Sequence, residues 1–383
     1  MKTILYGLAA LLCCNLAMAQ KNNLTSVDFN KARPVWSKQK AADWYKQQPW
    51  IRGCDFIPST AINQLEMWQA DTFDSTTIDK ELGWAENIGM NTMRVYLHHA
   101  AWTDDAAGFK SRINKYLSIA YRHGIRTIFV LMDDCWNNYY TAGNQPKPKP
   151  GVHNSGWVQD PGFYIYADST VNYLDEKAFS VLEKYVKDIF TTFKNDKRIL
   201  LWDLYNEPGN SNLGNLSMPL LQHLFLWGRQ INPSQPLTAD VWNLNLKELS
   251  DFQTKNSDIF TYHCYSNETI HQHWIDSFRA IVKGPMICTE YMARKHNSRF
   301  ANIMPLLKKE NIGAINWGLV EGKTNTKYAW DEPMPNGAEP ALWFHEIFRK
   351  DGTPYKQDEV DLIKSLTEKS SKNARTDGEK SKD

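Results

Sequence analysis

Short apolar segments alternate with longer amphipathic ones through most of the chain. The short segments are apolar on both pleat faces, as strands of a sheet covered on both sides should be. The longer segments repeat apolar residues at three-residue steps, as Leu82, Ala85 and Ile88 do. Gly89 and Gly124 stand where two of these helices should end, because glycine adopts the left-handed conformation of a helix C-terminus. The pattern predicts alternating strands and helices from about residue 50 onward.

Eight segments indicate strands. They lie at residues 51–57, 91–97, 126–132, 199–202, 236–242, 259–265, 284–290 and 313–320. Helices are predicted between them, most clearly at residues 79–88, 108–123, 174–193 and 216–230, with closing helical turns at 343–349 and 359–366. Eight strands with intervening helices are typical of one architecture in the fold class α/β. We therefore predict a single (β/α)8 TIM barrel.

The two ends of the chain depart from this pattern. Residues 1–19 have the features of a signal peptide, with Lys2, an apolar run too short to span a bilayer and small residues before the expected cleavage after Ala19. We predict an N-terminal arm at residues 20–49, the barrel domain at 50–366 and a disordered polar tail at 367–383. The protein should be secreted or periplasmic. A lipid anchor is disfavoured because Leu12, not a small residue, precedes Cys13.

Charge and cysteine content narrow the possible partners. The chain has 44 basic and 43 acidic residues, and this balance argues against nucleic acid or an anionic membrane as a partner. Four cysteines follow the signal peptide, and no Cys/His spacing resembles a zinc site, so we expect no metal or organic cofactor. Buried free thiols are favoured, although a disulfide stays open in an oxidising compartment. We expect a monomer.

Aromatic residues and two long loops indicate a surface for sugar rings. The chain has 15 Trp, 17 Tyr and 16 Phe, and clefts that bind carbohydrate use such side chains as flat apolar platforms. The loop at residues 134–163 is rich in proline and glycine and contains Trp136, His153 and Trp157. Long loops in compact domains are often functional, so we predict that this one forms a wall of a substrate cleft. A second long loop, at residues 321–341, lies on the same mouth.

Two of the predicted strands end in a glutamate. The fourth runs into Asn206, Glu207 and Pro208, and the seventh ends at Glu290. Asn206 and Glu207 can face one pocket only where the pleat breaks down, and Pro208 supplies that break. Two carboxylates at the ends of different parallel strands suit glycoside hydrolysis, in which one acts on the leaving oxygen and the other on the anomeric carbon.

With these residues, the sequence from about 50 to 350 resembles the retaining glycoside hydrolases that have a (β/α)8 barrel, most closely family 5. The resemblance implies that Glu207 is the acid/base and Glu290 the nucleophile. It implies that Arg94 orients Glu290 and that Asn206 binds the 2-hydroxyl of the sugar.

Three further residues match the family pattern. His263 and Tyr265 share one strand face and match its His-x-Tyr motif, in which the tyrosine would hydrogen-bond Glu290. Trp317 matches the tryptophan platform under the reactive sugar. One feature differs: the family usually has a His near the end of strand three, where this chain has Asp133-Asp134-Cys135-Trp136. His98 or His99 could stand in for it, and the difference leaves the substrate open.

The resemblance implies a secreted retaining β-glycoside hydrolase of β-linked polysaccharides or oligosaccharides of the glucan, xylan or mannan type. Endo action is favoured over exo action, although the sequence does not decide the sugar or linkage. A transglycosylase would use the same residues and pass the glycosyl group to a sugar instead of water. A catalytically silent carbohydrate-binding barrel is the alternative from another class, and the paired glutamates argue against it.

Overall fold

The computed structural model describes residues 27–168 and 173–368 as a single barrel with helices around it. The predicted signal peptide and nearly all of the predicted polar tail lie outside the described residues. The barrel strands, here numbered β1 to β8, are Arg52–Asp55, Thr92–Tyr96, Arg126–Val130, Ile199–Asp203, Leu237–Thr238, Phe260–His263, Met286–Glu290 and Gly313–Trp317. Two more short strands, Tyr166–Asp168 and Tyr173–Leu174, pair antiparallel outside the barrel.

All strand pairs in the barrel are parallel, in the order β5-β4-β3-β2-β1-β8-β7-β6. A parallel bridge between Val241 and Tyr262 joins the β5 and β6 segments and closes the sheet. The carboxyl ends of all eight strands therefore meet at one mouth, where (β/α)8 barrels carry their sites. The predicted fold class is confirmed.

The helices follow the strands in the expected alternation. The α-helices are Lys38–Lys46, Gln64–Trp68, Ser75–Asn87, His99–Asp104, Ala106–Arg122, Glu176–Phe193, Met218–Ile231, Lys247–Asn256, Glu268–Val282, Phe300–Lys309 and Gln357–Thr367, with 3-10 turns at Phe29–Lys31, Gly162–Ile165, Gly214–Ser217 and Arg294–His296. Gly89 and Gly124 adopt φ of +78° and +69° just past two of these helices, as predicted. No helix in these two ranges is long and apolar enough to cross a membrane.

The strands enclose an apolar interior and bury an outer layer against the helices. The interior contains Ile128, Leu201, Ile287 and Ile315, and the helix Lys38–Lys46 covers its lower end with Ala41 and Tyr45. Each such side chain removed from water contributes about 1.5–3 kcal/mol before the entropy of ordering is subtracted. The lower half of the barrel is thus a packed core, and the polar chemistry is confined to the mouth.

The glycine at position 53 is required by close backbone packing between β1 and β2. A Cβ built there would lie 1.6 Å from the carbonyl oxygen of Thr92, a distance that no side chain could tolerate. This approach fixes the register in which Asp55 lies beside Arg94 on the neighbouring strand. Two charged groups of the mouth are therefore positioned by one small residue below them.

Two sequence predictions about local structure need correction. Residues 343–349 were expected to form a helical turn, but the described chain there is irregular, and Phe348 bridges to Val320 and Pro354 instead. Several strands are shorter than predicted, and β5 contains only Leu237–Thr238. Some apolar residues that extended these predictions, such as Ile51 and Ile259, pack in the lower core, and others, such as Leu319, are buried beyond the strand ends. Burial without a sheet ladder gives the same sequence pattern.

Candidate active site

A cavity of about 540 Å³ opens at the mouth of the barrel. It is lined by seven of the nine residues predicted for the site, namely Asn206, Glu207, Tyr265, Glu290, Trp317, Trp136 and Trp157. The other two, Arg94 and His263, are buried and contact the glutamates directly. The volume falls in the range of small-molecule sites, about 300–1,000 Å³. The structure therefore brings all nine residues together, while their roles remain predictions.

Glu207 lies where the β4 segment leaves regular strand geometry. Its backbone has a φ of +45°, which is uncommon outside glycine, and its N–H donates to the carboxylate of Asp240. The side chain is within 2.8 Å of Nδ1 of His263 and accepts hydrogen bonds from the Cys135 thiol at 3.3 Å and from Asn210. Burial raises the pKa of Glu207 above its ordinary value, and the bonds from Cys135 and Asn210 oppose that rise.

Glu290 ends β7 in a different environment. Its Oε1 accepts hydrogen bonds from Nη1 of Arg94 and the hydroxyl of Tyr96, both at 2.8 Å, and its Oε2 accepts one from the hydroxyl of Tyr265 at 2.7 Å. Three hydrogen bonds, one of them from a guanidinium, hold this carboxyl group in one orientation. The predicted contacts of Glu290 with Arg94 and Tyr265 are present.

His263 lies between the two glutamates. Its Nδ1 is 2.8 Å from Glu207 Oε1 and 3.5 Å from Glu290 Oε2. Burial lowers its pKa to about 3, so the imidazole is neutral near neutral pH. One nitrogen of His263 and one carboxylate oxygen from each glutamate lie within 4.8 Å of one another. The two carboxylates thus face the same small volume.

Arg94 is the cation of a buried acidic cluster. Besides Glu290, its guanidinium contacts Asp55 at 2.8 Å, Asp203 at 2.8 Å and Asp240 at 3.3 Å. Burial raises the pKa of Asp203 to about 6 and the pKa values of Asp55 and Asp240 well above their ordinary value, with neighbouring carboxylates adding to the rise and Arg94 opposing it. One cation therefore lies among four carboxylates, and their mutual repulsion opposes the ionisation of the three aspartates.

The amide of Asn206 is held from both sides. Its Oδ1 accepts a hydrogen bond of 2.7 Å from Nη2 of Arg94, and its Nδ2 donates one of 2.8 Å to Asp133. These partners fix which end of the amide faces the cavity, and a hydrogen of Nδ2 remains for a ligand or for the Cys135 sulfur at 3.3 Å. Asn206 therefore presents a donor to the cavity, as the prediction for a sugar hydroxyl requires.

The residues after β3, where the family usually has a histidine, contact Asn206 and the loop that follows Glu207. Asp133 accepts hydrogen bonds from Asn206, from Nε1 of Trp157 at 2.7 Å and from the Cys135 N–H. Asp134 accepts from Tyr205 and from the Gly209 N–H, both at 2.7 Å, and so anchors the loop that follows Glu207.

His98 and His99, which the sequence left as possible substitutes, do not line the cavity. His99 Nδ1 instead bonds Asp160, and Nε2 of His98 lies 3.1 Å from the carbonyl oxygen of Gln159. Asp133, and not a histidine, is the residue after β3 that contacts Asn206.

The three predicted tryptophans differ in exposure. Trp317 is 9% exposed, and Trp157 is 2% exposed and packs edge-on against Trp317 and Tyr96 with ring centres 5.6 and 5.0 Å apart. Trp136 is 40% exposed and packs against His153. Only Trp136 and one face of Trp317 are placed to act as open platforms, whereas Trp157 is mainly a supporting side chain.

Sequence reasoning missed several residues of the site. They are Asp55, Tyr96, Cys135, Asn210, Asp240, Trp242, Trp330 and His345. Tyr96 shares the strand face of Arg94, two residues away, and this parity could have identified it. Asp55 ends β1 and Asp240 follows β5, so their position at strand ends could also have identified them. Trp330 and His345 lie in irregular segments, and no strand or helix pattern indicated that they belong to the site.

Two clusters of the described residues have the spacing of metal ligands. One is Glu207, His263 and Glu290, and the other is His98, His99 and Asp160. In the first, Arg94 and Tyr265 already occupy oxygens of Glu290. In the second, His99 is bonded to Asp160 through one ring nitrogen and to Tyr140 through the other. Hydrogen bonds within the chain therefore explain why the residues of each cluster lie close together.

Comparison with known proteins gives matches only at the level of structure. No protein-family model matches the chain, and no curated protein sequence does. The chain is similar to GH5_18 from Streptomyces cattleya in complex with Manβ1-4GlcNAc, with a TM-score of 0.58 and 10% identity over 83% of this chain and 80% of that one.

Two further solved structures are similar to this chain. The glycoside hydrolase family 5 mannosidase from Rhizomucor miehei aligns with a TM-score of 0.54 and 15% identity over 89% of this chain and 98% of that one. The endo-β-1,4-mannanase from Thermotoga petrophila aligns with a TM-score of 0.53 and 15% identity over 84% of this chain and 77% of that one. At such identities the similarity establishes the fold. The predicted resemblance to the family 5 barrel is confirmed at that level.

Proposed function

We propose that this chain, which has the barrel of the family 5 glycoside hydrolases, is a secreted retaining β-glycoside hydrolase that cleaves β-linked oligosaccharides or polysaccharides by double displacement. The observation that carries the proposal is the pair of carboxylates at the ends of β4 and β7, with oxygens within 4.8 Å of each other and unlike surroundings. Glycosidases use such a pair of carboxyl groups, one on the leaving oxygen and the other on the anomeric carbon.

The spacing of the glutamates supports retention of configuration. Retaining enzymes hold their carboxyl groups about 5–5.5 Å apart, whereas inverting enzymes need about 6.5–9.5 Å to fit a water between carboxylate and sugar. One oxygen of Glu207 and one of Glu290 lie within 4.8 Å of each other, which fits the closer spacing of retaining enzymes better than the wider spacing of inverting ones. Direct attack by Glu290 on the anomeric carbon is therefore the favoured geometry.

In the first step Glu290 attacks the anomeric carbon while Glu207 donates its proton to the leaving oxygen. Arg94, Tyr96 and Tyr265 orient Glu290 through their hydrogen bonds, while the burial of Glu207 favours its protonated form. The product of this step is a glycosyl ester on Glu290 and a free leaving-group hydroxyl. Asn206 Nδ2 would bind the 2-hydroxyl, where a hydrogen bond strengthens as charge develops on the ring.

In the second step Glu207, now a carboxylate, removes a proton from water, which attacks the anomeric carbon and breaks the ester to Glu290. Formation of the ester removes the negative charge of Glu290, so ionisation of Glu207 is no longer opposed by that charge and the same residue serves first as acid and then as base. His263 stays neutral throughout and keeps its contact with Glu207. Two inversions give net retention.

Support for the substrate class comes from the cavity and the neighbours. The cavity is lined by Trp136, Trp242, Trp317 and Trp330, which suit the apolar faces of sugar rings. The similar structures are named as a β-1,4-mannanase, a mannosidase and a complex with Manβ1-4GlcNAc. We therefore place β-mannosidic substrates first, ahead of the glucan and xylan types. The signal-peptide features of residues 1–19 support export, and the balanced charge supports an uncharged carbohydrate as the partner.

The stereochemistry of the first product tests this proposal. Proton NMR during hydrolysis of a β-linked substrate should show the β anomer before mutarotation, and an activated 2-deoxy-2-fluoro glycoside should label Glu290. An initial α anomer would overturn the retaining mechanism. A silent binding barrel would bind oligosaccharides without cleavage and without label. Product analysis at high substrate concentration distinguishes a transglycosylase, because longer oligosaccharides would then accumulate.

A further inference from the structure

Two long loops meet over one side of the mouth. The loop after β3 and the loop after β8 are joined by hydrogen bonds from Asn154 N to Thr324 O at 2.8 Å and from Met334 N to Gly151 O at 2.9 Å. We call residues 149–157 and 324–345 together the closing wall. At Gly151 a Cβ would lie 1.6 Å from the carbonyl oxygen of Met334, so the two backbones are in direct contact. The wall is a continuous structure and not a pair of separate flaps.

The closing wall lies over the β1 and β2 side of the mouth, across the barrel from β5 and β6. Since β1 and β2 lie between β8 and β3 in the sheet, a wall that joins the loops of β3 and β8 passes over the ends of β1 and β2. Its Trp157 packs against Tyr96, which hydrogen-bonds Glu290, and its His345 packs near Trp317. The sugar whose anomeric carbon faces Glu290 therefore has the wall directly behind it.

The acid side of the cavity is open by comparison. Beyond Glu207 the lining consists of Asn210 and Trp242, which are partly exposed, and Ser211, which is exposed. Asn154 and His345 of the wall are 1% and 0% exposed. Because Glu207 protonates the leaving oxygen in the proposed mechanism, the leaving group lies on the open side. A longer chain can extend over the open side, whereas the closing wall bounds the cavity on the opposite side.

Two buried acceptors on the wall have no partner within the described chain. They are Oδ1 of Asn154 and Nε2 of His345, and both residues line the cavity. Nδ1 of His345 donates to the carbonyl oxygen of Met292, so Nε2 is left with its lone pair. Buried polar atoms without partners are costly, and a ligand hydroxyl would satisfy each of them. The two acceptors point to a ligand that presents hydroxyls at its terminus.

We infer that the cavity is the closed end of an exo-acting site, in which the terminal sugar at the non-reducing end is held by Asn154 and His345 and released singly. The inference deepens the proposed function and rests on it. It favours exo action, whereas the sequence analysis favoured endo action, because an endo enzyme needs a cleft that is open on both sides of the glutamates. The sequence shows the lengths of the two loops but not the hydrogen bonds that join them.

The order in which products appear tests the inference. β-1,4-Linked manno-, gluco- and xylo-oligosaccharides with a fluorophore at the reducing end would be incubated with the full mature protein and separated over time. The first labelled product should be one sugar shorter than the substrate, with free monosaccharide as its partner. A first labelled product shorter by two or more sugars would overturn the inference and leave the hydrolase function intact. No cleavage of any substrate, with no fluoro-sugar label on Glu290, would overturn both.

Two matched pairs of variants test the wall itself. Asn154 and Asn311 both have positive φ, +46° and +51°, which glycine adopts without strain, but only Asn154 lines the cavity. Asn154→Gly should raise KM for the best oligosaccharide about tenfold through the lost hydroxyl contact, while Asn311→Gly should leave KM unchanged. Equal KM values in the two variants would remove Asn154 from the terminal subsite.

The second pair opens the wall. Gly151 and Gly143 lie in the same loop with φ of +66° and +94°, and a Cβ at Gly143 would meet nothing within 4 Å. Both alanine variants are strained, but only Gly151→Ala forces the two loops apart. We expect products shorter by two or more sugars from Gly151→Ala and strictly stepwise products from Gly143→Ala. Strictly stepwise products from a folded Gly151→Ala protein, as judged by near-UV circular dichroism, would show that the wall does not set the mode of cleavage.

Discussion

Asp133 accepts a hydrogen bond of 2.8 Å from Nδ2 of Asn206 and thereby fixes the amide that faces the reactive sugar in our proposal. Without this acceptor the amide keeps only the hydrogen bonds at its oxygen end, so its donor is held less firmly toward the 2-hydroxyl. We expect Asp133→Ala to lower kcat/KM by about 1–3 kcal/mol of transition-state stabilisation.

A 2-deoxy glycoside provides the control for this prediction. It lacks the hydroxyl that Asn206 is proposed to bind, so Asp133→Ala and wild type should differ much less on it. An equal loss on both substrates would mean that Asp133 acts on the stability of the site and not through Asn206. The loss of the Trp157 contact to Asp133 is the same in both measurements and cancels in the ratio.

The two glutamates should differ in what rescues their loss. Glu207→Ala and Glu290→Ala should each lower kcat on an unactivated substrate by at least about 10²–10⁴-fold, which is the usual contribution of such groups, while the proteins stay folded. Added azide should then give a β-glycosyl azide from Glu207→Ala on an activated substrate and an α-glycosyl azide from Glu290→Ala. Reversed products would exchange the two assignments, and near wild-type turnover of either variant would remove that residue from the mechanism.

The exposed tryptophan of the cavity gives the cleaner test of an aromatic platform. Trp136→Ala should weaken oligosaccharide affinity by ~1–3 kcal/mol and change the free energy of unfolding little, since the side chain is 40% exposed. Tyr139→Ala is the matched control, because Tyr139 is 72% exposed in the same loop and does not line the cavity. Unchanged affinity by calorimetry for Trp136→Ala would exclude this ring from the binding surface.

The sequence predicted that Trp157 lies in a wall of the substrate cleft, but its burial predicts an additional effect on stability. Its side chain is buried against Tyr96 and Trp317, so Trp157→Ala leaves a cavity and should lower the free energy of unfolding by about 3–5 kcal/mol in addition to weakening substrate binding. Trp157→Phe keeps most of the packing and loses the hydrogen bond to Asp133. Denaturant unfolding of both variants separates the two contributions, and a fully stable Trp157→Ala protein would contradict the packing described.

The alkaline limb of the pH profile should respond to Cys135. The Cys135 thiol donates to Glu207 Oε2, and this bond stabilises the ionised carboxylate and opposes the rise in pKa that burial causes. Cys135→Ala removes the donor, so the pKa of Glu207 should rise and activity should persist to higher pH. The measurement is kcat/KM against pH. A limb that stays in place, or one that moves to lower pH, would show that Cys135 does not set the protonation of Glu207.

The sequence by itself determined the barrel and the two glutamates. Strand and helix periods are local properties, and a carboxylate that ends a buried strand must lie at the mouth because all strands of the barrel are parallel. The resemblance to family 5 implied Arg94, His263 and Tyr265, and strand parity placed the last two on one face. The fold class needed only the pattern of apolar segments.

Only the tertiary structure decided how the mouth is shaped. The contact of Gly151 with Met334 joins segments far apart in the sequence, and no periodicity records it. Likewise, the orphan acceptors of Asn154 and His345 became visible only once every possible partner was placed around them. Loops owe their form to packing against one another, so they can show which residues are available but not which side of a site they close.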